Sequence, residues 1–306
     1  MPGINITQLS QQLSQFGGKI LAKHVNEAEF KSDFSILRNV KNPIVMPRLH
    51  INGEPRPYRI QPDDSVNSAE FTDKTLTVFQ SKMDFGALDP EVYRNTYLAA
   101  GEDGQLNSNN VLFYQFIAQE IAKTYMAIIN DTTVYKGVRN AAGTGAIDLI
   151  DGLEKLLDVQ IAAGKITPIA TGAITNANAV EKVETFVKGL PAWLKTKGAR
   201  IWVSYDIFEK YRHDYREKYG FTFDPNKEGM YMIDGTKHEI VPRSWMGTSQ
   251  RLIASPKSEK NVFFGMDSES CQFHATPELN YIKLRVTFPL GMQIADDDAI
   301  FCNDLD

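Results

Sequence analysis

The chain of 306 residues carries 42% hydrophobic and 23% charged residues and a formal net charge of -5, a composition that suits one elaborate globular domain or two interleaved ones and excludes a disordered or collagen-like chain. Without a run of clustered Lys and Arg it is not a polyanion binder as a whole, so any DNA contact is weak or local. Cys271 and Cys302 stand far apart in no metal-ligand spacing, no apolar run reaches bilayer length, and the N-terminus lacks a basic segment followed by an apolar core, which argues against a zinc site, a disulfide scaffold, a membrane protein and a signal peptide.

Residues 1 to about 30 are rich in Gln and Ser and read as an arm, in which Leu9, Leu13, Phe16 and Ile20 have the spacing of a short amphipathic helix. From Val40 onward the pattern is extended. Pro43, Pro47, Pro55, Pro57 and Pro62 surround Asn52-Gly53, a hairpin-turn signal between two extended stretches. So many prolines remove ladder donors and place the segment outside a sheet interior, as a projecting hairpin or loop. A strand follows in which Leu76 and Val78 alternate with Thr75 and Thr77.

The strongest helix covers residues 109 to 130, capped by Ser108 or Asn109. Phe113, Ile117, Ile121, Thr124 and Ile128 form its apolar face, which Leu112, Phe116 and Ile129 widen, and its length is about 33 Å. A Gly-rich turn and short helix come next, then a helix from Ala179 to Gly189, a strand at "ARIWVS", an amphipathic helix "DIFEKYRHDYREKY", and short strands at "MYMI", "HEIVP", "RLIAS" and "NVFFGM". Near the end Ile282, Leu284, Val286 and Phe288 alternate with Tyr281, Lys283, Arg285 and Thr287; Pro289 and Gly291 interrupt the pattern before an apolar reading resumes. Extended to Ile294, that ribbon reaches about 45 Å, far beyond the roughly 17–20 Å of an ordinary strand. The mixture is an α+β architecture.

Chemistry-bearing motifs are weak. "GTGAID", Gly143 to Asp148, lacks the third glycine and the preceding strand of a dinucleotide fingerprint and reads as a turn. Asp296, Asp297 and Asp298 could collect a hard cation only if a special turn made them converge, so a solvated loop or subunit-contact patch is favoured. His24, His50, His213, His238 and His274 show no ligand spacing. In residues 205 to 221 the aromatics and cations imitate a nucleic-acid patch, but Asp206, Glu209, Asp214 and Glu217 cancel the field, leaving a helix with a charged outer face. No catalytic, cofactor or metal residue is assigned. What stands out is a set of elements with too few partners in one chain: arm, projection, beam helix and ribbon. A self-assembling subunit accounts for them.

In this order the parts resemble the major capsid protein of tailed bacteriophages, the shell fold of the Hong Kong phage type that encapsulins share. "GLEKLL" resembles the entry to the family's axial domain, "HEIVPRSWM" an axial strand and turn, "NVFFGMDSES" the strand that closes that domain, and "IKLRVTFPLGMQIADDDAIF" the return strand. The resemblance implies an N-terminal arm at 1–39, an extended loop with supporting strands at 40–80, a peripheral domain with spine helix at 81–140, an axial domain at 141–270 and peripheral return strands at 271–306. It implies a structural, non-enzymatic protein that builds hexamers and pentamers of an icosahedral head shell in the host cytoplasm and encloses double-stranded DNA in the virion. Scaffolding, portal and decoration proteins are its further partners, and a cofactor or membrane is not. Arg56, Arg59, Asp63 and Asp64 on the loop, with Asp296, Asp297 and Asp298, are the expected subunit contacts. Lys is absent between Lys41 and Lys74, which counts against the Lys–Asn cross-link of one branch of the family. An encapsulin-type nanocompartment shell is the alternative within the fold; a metal-dependent α+β hydrolase using the three aspartates and His274 is the alternative outside it.

Overall fold

The computed structural model describes residues 23–25, 28–52, 68–88, 110–220, 231–267, 270, 272–277 and 282–305. Its strands are β1 Ser35–Leu37, β2 Ile44–Asn52, β3 Ser68–Leu76, β4 Phe79–Leu88, β5 Ala199–Val203, β6 Tyr231–Met232, β7 Glu239–Pro242, β8 Ile253–Pro256, β9 Val262–Met266, β10 Gln272–Pro277, β11 Ile282–Ile294 and β12 Phe301–Cys302. The helices are α1 Asn110–Ile128, α2 Leu153–Ala162, α3 Ala179–Gly189, α4 Ala192–Lys197 and α5 Tyr205–Tyr219.

The C-terminal ribbon is one strand of 13 residues, continuous through Pro289 and Gly291, where the alternation had suggested a break. β4 runs antiparallel beside it from Ile282↔Leu88 to Leu290↔Phe79. β10 pairs with it up to Thr287 and β9 takes over at Leu290. Pro289 falls in that gap. Its carbonyl accepts from Asp267 N at 3.3 Å, and since a strand residue points its C=O and N–H to the same side, the missing donor would have faced the place where neither strand pairs.

Gly291 has a different reason to be glycine. It lies directly opposite Gly265 in the β9·β11 ladder. A Cβ on Gly291 would stand 2.1 Å from the Thr77 carbonyl oxygen, and one on Gly265 3.0 Å from Leu76 Cδ2. The chain passing from β3 to β4 crosses the sheet on this bare patch. β9 belongs to the same five-stranded sheet, with β1 parallel on its other side, and not to the sheet of β5, β7 and β8 with which the resemblance had grouped it.

α1 packs on this sheet, turned from the expected face. Ile121, Ala122, Tyr125, Met126 and Ile129 are buried, whereas Thr124 and Ile128 are exposed. At about 100° per residue the buried set centres about 70° round from Ile121. Tyr125 sits near that centre because it has two partners below: its ring meets Phe288 edge-on at 5.9 Å, and its hydroxyl pairs with Ser81 Oγ, which also donates to the Phe288 carbonyl. Ser108, Asn109 and the side chains of Leu112, Phe113, Phe116 and Ile117 lie outside the described residues. The helix ends in a π turn at Ile129–Thr133.

A second sheet, β12-β8-β5-β7-β6, has both faces covered. Along β5 the strand period sends Ala199, Ile201 and Val203 into a core shared with α3, α4 and α5, while Trp202 turns to the core beneath α1. Ser204 caps α5, accepting from Ile207 N at 3.3 Å, and Gly220 ends it at φ 72°. Asp214, expected on the charged outer face, is buried instead and accepts from Val180 N at 2.8 Å, capping α3 from a neighbouring helix.

Residues 28–37, within the stretch assigned to the arm, are built into the core. Phe30 and Phe34 are fully buried; Phe30 lies 4.9 Å from Phe264, and Phe34 5.8 Å from Trp202 and 5.4 Å from Trp245. Arg243 grips Asp33 at both oxygens, 2.5 and 2.8 Å. The apolar positions Leu9, Leu13, Phe16 and Ile20 lie outside the described residues, as does Cys271; Cys302 is buried.

Gly291→Ala is expected to cost about 3 kcal/mol or more, since neither strand nor crossing chain can yield the missing ångström, whereas Gly86→Ala, with open space around it, should change stability by less than about 0.5 kcal/mol. Urea unfolding of the two variants compares them. His238 gives a pH test. It is buried, its Nδ1 accepts from Ala199 N at 3.0 Å, and burial, with Lys257 and Lys195 nearby, lowers its pKa from 6.5. The folded state thus resists protonation, so its contribution is fully present above 6.5 and is lost as pH falls below that value toward the lower folded pKa. Between about pH 7.5 and 5, Tm should fall less steeply in His238→Asn, whose amide oxygen keeps an acceptor, than in the parent.

Candidate assembly element: the hairpin and its root

β2 and β3 form a two-stranded antiparallel ribbon with nine opposed pairs, from Ile44↔Leu76 at its root to Asn52↔Ser68. Asn52-Gly53 is therefore not its turn. A two-residue turn there would oppose Ile51 to Glu54, but Ile51 opposes Ala69, and the connection is residues 53–67. Arg56, Arg59, Asp63 and Asp64 belong to that connection and lie outside the described residues. Pro47 is tolerated within β2 because, among the described residues, the ribbon joins no third strand and leaves its outer edges without ladder partners.

The root is held by charge and by close packing. Lys74 opposes Met46, so Arg48, two residues on, lies on the same face, and both cations meet the turn that follows β11. In that turn a 3-10 helix at Asp297–Ala299 rotates successive aspartates, and the three carboxylates converge on the hairpin. Arg48 Nη1 reaches Asp296 Oδ1 at 2.7 Å, Arg48 Nη2 reaches Asp298 Oδ2 at 2.5 Å, and Lys74 Nζ pairs with Asp297. Asp296 also accepts from Asp298 N at 2.8 Å, capping the turn.

Asn261, buried beside the start of β9, fixes this turn through both ends of its amide. It accepts from Asp296 N at 2.7 Å and donates to the Asp296 carbonyl at 2.5 Å. Gln293 Nε2 donates to the Thr75 carbonyl at 3.2 Å, tying β11 to β3. Leu76, fully buried, rests on Gly265.

The buried pair does not stabilise by attraction alone. Desolvation pushes the Lys74 ammonium below its ordinary value despite Asp297 beside it, so the interaction serves chiefly to fix position. Arg48, Lys74 and Asn261 were not among the residues singled out from the sequence; the roles of Arg48 and Lys74 depend on the β2·β3 register and on a turn more than two hundred residues away, and that of Asn261 on the same turn 35 residues on. His274 lies on β10 opposite Arg285, with its Nε2 3.0 Å from Gln272 Oε1, and among the described residues no group of three His, Cys, Asp or Glu is placed to hold a metal.

No family model and no curated protein matches the chain. Solved structures do. A chain in the satellite phage P4 procapsid that includes the size determination protein superposes with a TM-score of 0.58 at 12% identity, over 93% of this chain and 89% of that one. The chain has the phage capsid fold. The capsids of the empty and native GTA particles each give a TM-score of 0.51 at 10% identity over 90% of this chain, and over 89% and 88% of theirs. In the capsid fold of this chain the long helix α1, the long strand β11 and the two-stranded ribbon are all present, with the ribbon fastened to the turn that follows β11.

Lys74→Met leaves the Asp297 carboxylate buried without its cation and should cost about 3 kcal/mol, whereas Lys74→Met with Asp297→Leu should recover most of that loss. Guanidinium unfolding of the parent, the single and the double variant measures the cycle.

Proposed function

We propose that this chain is a major capsid protein, a structural and non-enzymatic subunit that self-assembles into the icosahedral head shell around phage double-stranded DNA. One observation carries the reading: a nine-pair ribbon joins no third strand among the described residues. Isolated two-stranded ribbons are marginal in water, and unpaired strand edges invite another chain. Overlap with a P4 procapsid chain across 93% of the sequence supports the same reading at the level of fold.

In this reading hexamers and pentamers of the chain tile the shell, with scaffolding, portal and decoration proteins as further partners, and the protein resides in the virion after assembly in the host cytoplasm. The net charge of -5 suits a container that holds DNA without gripping its phosphates. None of the described helices is long and apolar enough to cross a membrane. The body around α1 and β11 is the peripheral part, the sheet of β5 with α3 and α5 the axial part, and Arg56, Arg59, Asp63 and Asp64 meet a neighbouring subunit. Asp296, Asp297 and Asp298 serve the hairpin root, and Asp298, the most exposed of the run, adds to the contact with the neighbouring subunit.

Purified protein, alone or with its scaffold, should give capsomers or closed shells in negative stain and a matching sedimentation profile. A folded monomer across a wide concentration range, with and without scaffold, refutes the proposal. Arg56→Glu with Arg59→Glu should leave the thermal melt of the subunit unchanged and reduce shell yield at least tenfold, since rim charges set orientation and register. Normal shells from that variant would remove these arginines from the contact.

A further inference from the structure

The two ion pairs at the hairpin root differ in burial. Lys74 and Asp297 keep 13% and 5% of their side-chain surface, while Arg48, Asp296 and Asp298 keep 27%, 39% and 58%. They also differ in position. Lys74 stands in the third pair from the root and Arg48 in the fifth, nearer the far end of a ribbon about 30 Å long.

We infer that this root is a salt-sensitive latch, in which Lys74–Asp297 is a persistent pivot and Arg48 with Asp296 and Asp298 is a clasp whose release lets the β2–β3 hairpin swing. The pivot lies where water and counter-ions are largely excluded, beside Leu76 on its glycine floor and the Gln293–Thr75 bond. The clasp is more open to solvent than the pivot, and the screening length falls from about 8 Å at physiological ionic strength to about 3 Å at 1 M, so salt weakens it first. The turn itself does not depend on Arg48, because Asn261 and the Asp296 cap hold its backbone. Clasp release therefore frees the hairpin without unfolding the anchor. Lys165 is a further cation close to Lys74, and it opposes rather than replaces the contact. A nine-pair ribbon transmits a small rotation at the root as a displacement of its far end. The latch is a property of the single chain and stands or falls apart from the shell reading.

Double electron–electron resonance on the subunit tests it, with nitroxides at Ser68→Cys in the last pair of the ribbon and Lys155→Cys on α2 and both native cysteines replaced. At low salt one narrow distance is expected. At 1 M NaCl, and at low salt in Arg48→Ala, a second peak displaced by several ångströms should appear while the circular dichroism spectrum stays that of the parent. Asp298→Asn, altered at a largely exposed position, should populate the second peak at lower salt than the parent and carries the test if Arg48→Ala fails to fold. A single distance unchanged by salt and by Asp298→Asn overturns the latch. So does salt-induced movement that is identical in parent and Asp298→Asn, since the clasp would then not be what salt releases.

Discussion

The crossing of Thr77 and Val78 over the paired Gly265 and Gly291 is the constraint on which much of the architecture rests. Two strands meet there with no side chains between them, and the chain leaving the hairpin can lie against their backbones. That single approach sets where β3 ends, where β4 begins and which edge of β11 it runs along. It also brings Leu76 into the core and Thr75 within reach of Gln293, so that the hairpin leaves the body at a defined place.

Position and stability come from different sources. The apolar contacts of Phe30, Phe34, Trp202, Trp245 and Phe264 gather β1, β5 and β9 into one core, and area burial of that kind is the dominant favourable contribution to folding. The ions work differently. Arg243 on Asp33 and Lys74 on Asp297 have side chains largely removed from water, where desolvation offsets most of the attraction, so what they supply is geometry. One places the segment before β1 against the turn after β7, the other places the hairpin against the turn after β11.

Much of this was legible in the sequence where the determinants are local. The alternation from Ile282 to Phe288 announces a strand, Ala179 to Gly189 is a helix at the boundaries its pattern predicts, and the order of elements points to the capsid fold although identity to the P4 procapsid chain is only 12%. What was hidden is non-local. Continuity through Pro289 depends on β10 giving way to β9 at that residue, and the rotation of α1 depends on Ser81 and Phe288 beneath Tyr125. Asp214 looks like any surface carboxylate until α3 presents its free amide. The hairpin misled for the opposite reason: Asn52-Gly53 is a strong local turn signal, overruled by the register that opposes Asn52 to Ser68. At the root, the three aspartates could be noticed but not interpreted, because adjacent carboxylates in extended chain diverge and only the 3-10 turn makes them converge.

That convergence separates folding from whatever the hairpin does. Asn261 and the Asp296 cap satisfy the backbone of the turn within the body, so the carboxylates of Asp296 and Asp298 are presented to Arg48 by a structure that does not need Arg48 to exist. Among the described residues, the largest buried side chains, from Phe30 and Phe34 to Trp202 and Phe288, likewise belong to the body. Among the described residues, a rearrangement of the ribbon beyond Lys74 breaks the two partly exposed ionic contacts of Arg48 and disturbs no core residue. Interactions differing this much in burial respond differently to salt, and it is the exposed ones that hold the ribbon's direction. The body can then remain folded while the ribbon changes its angle.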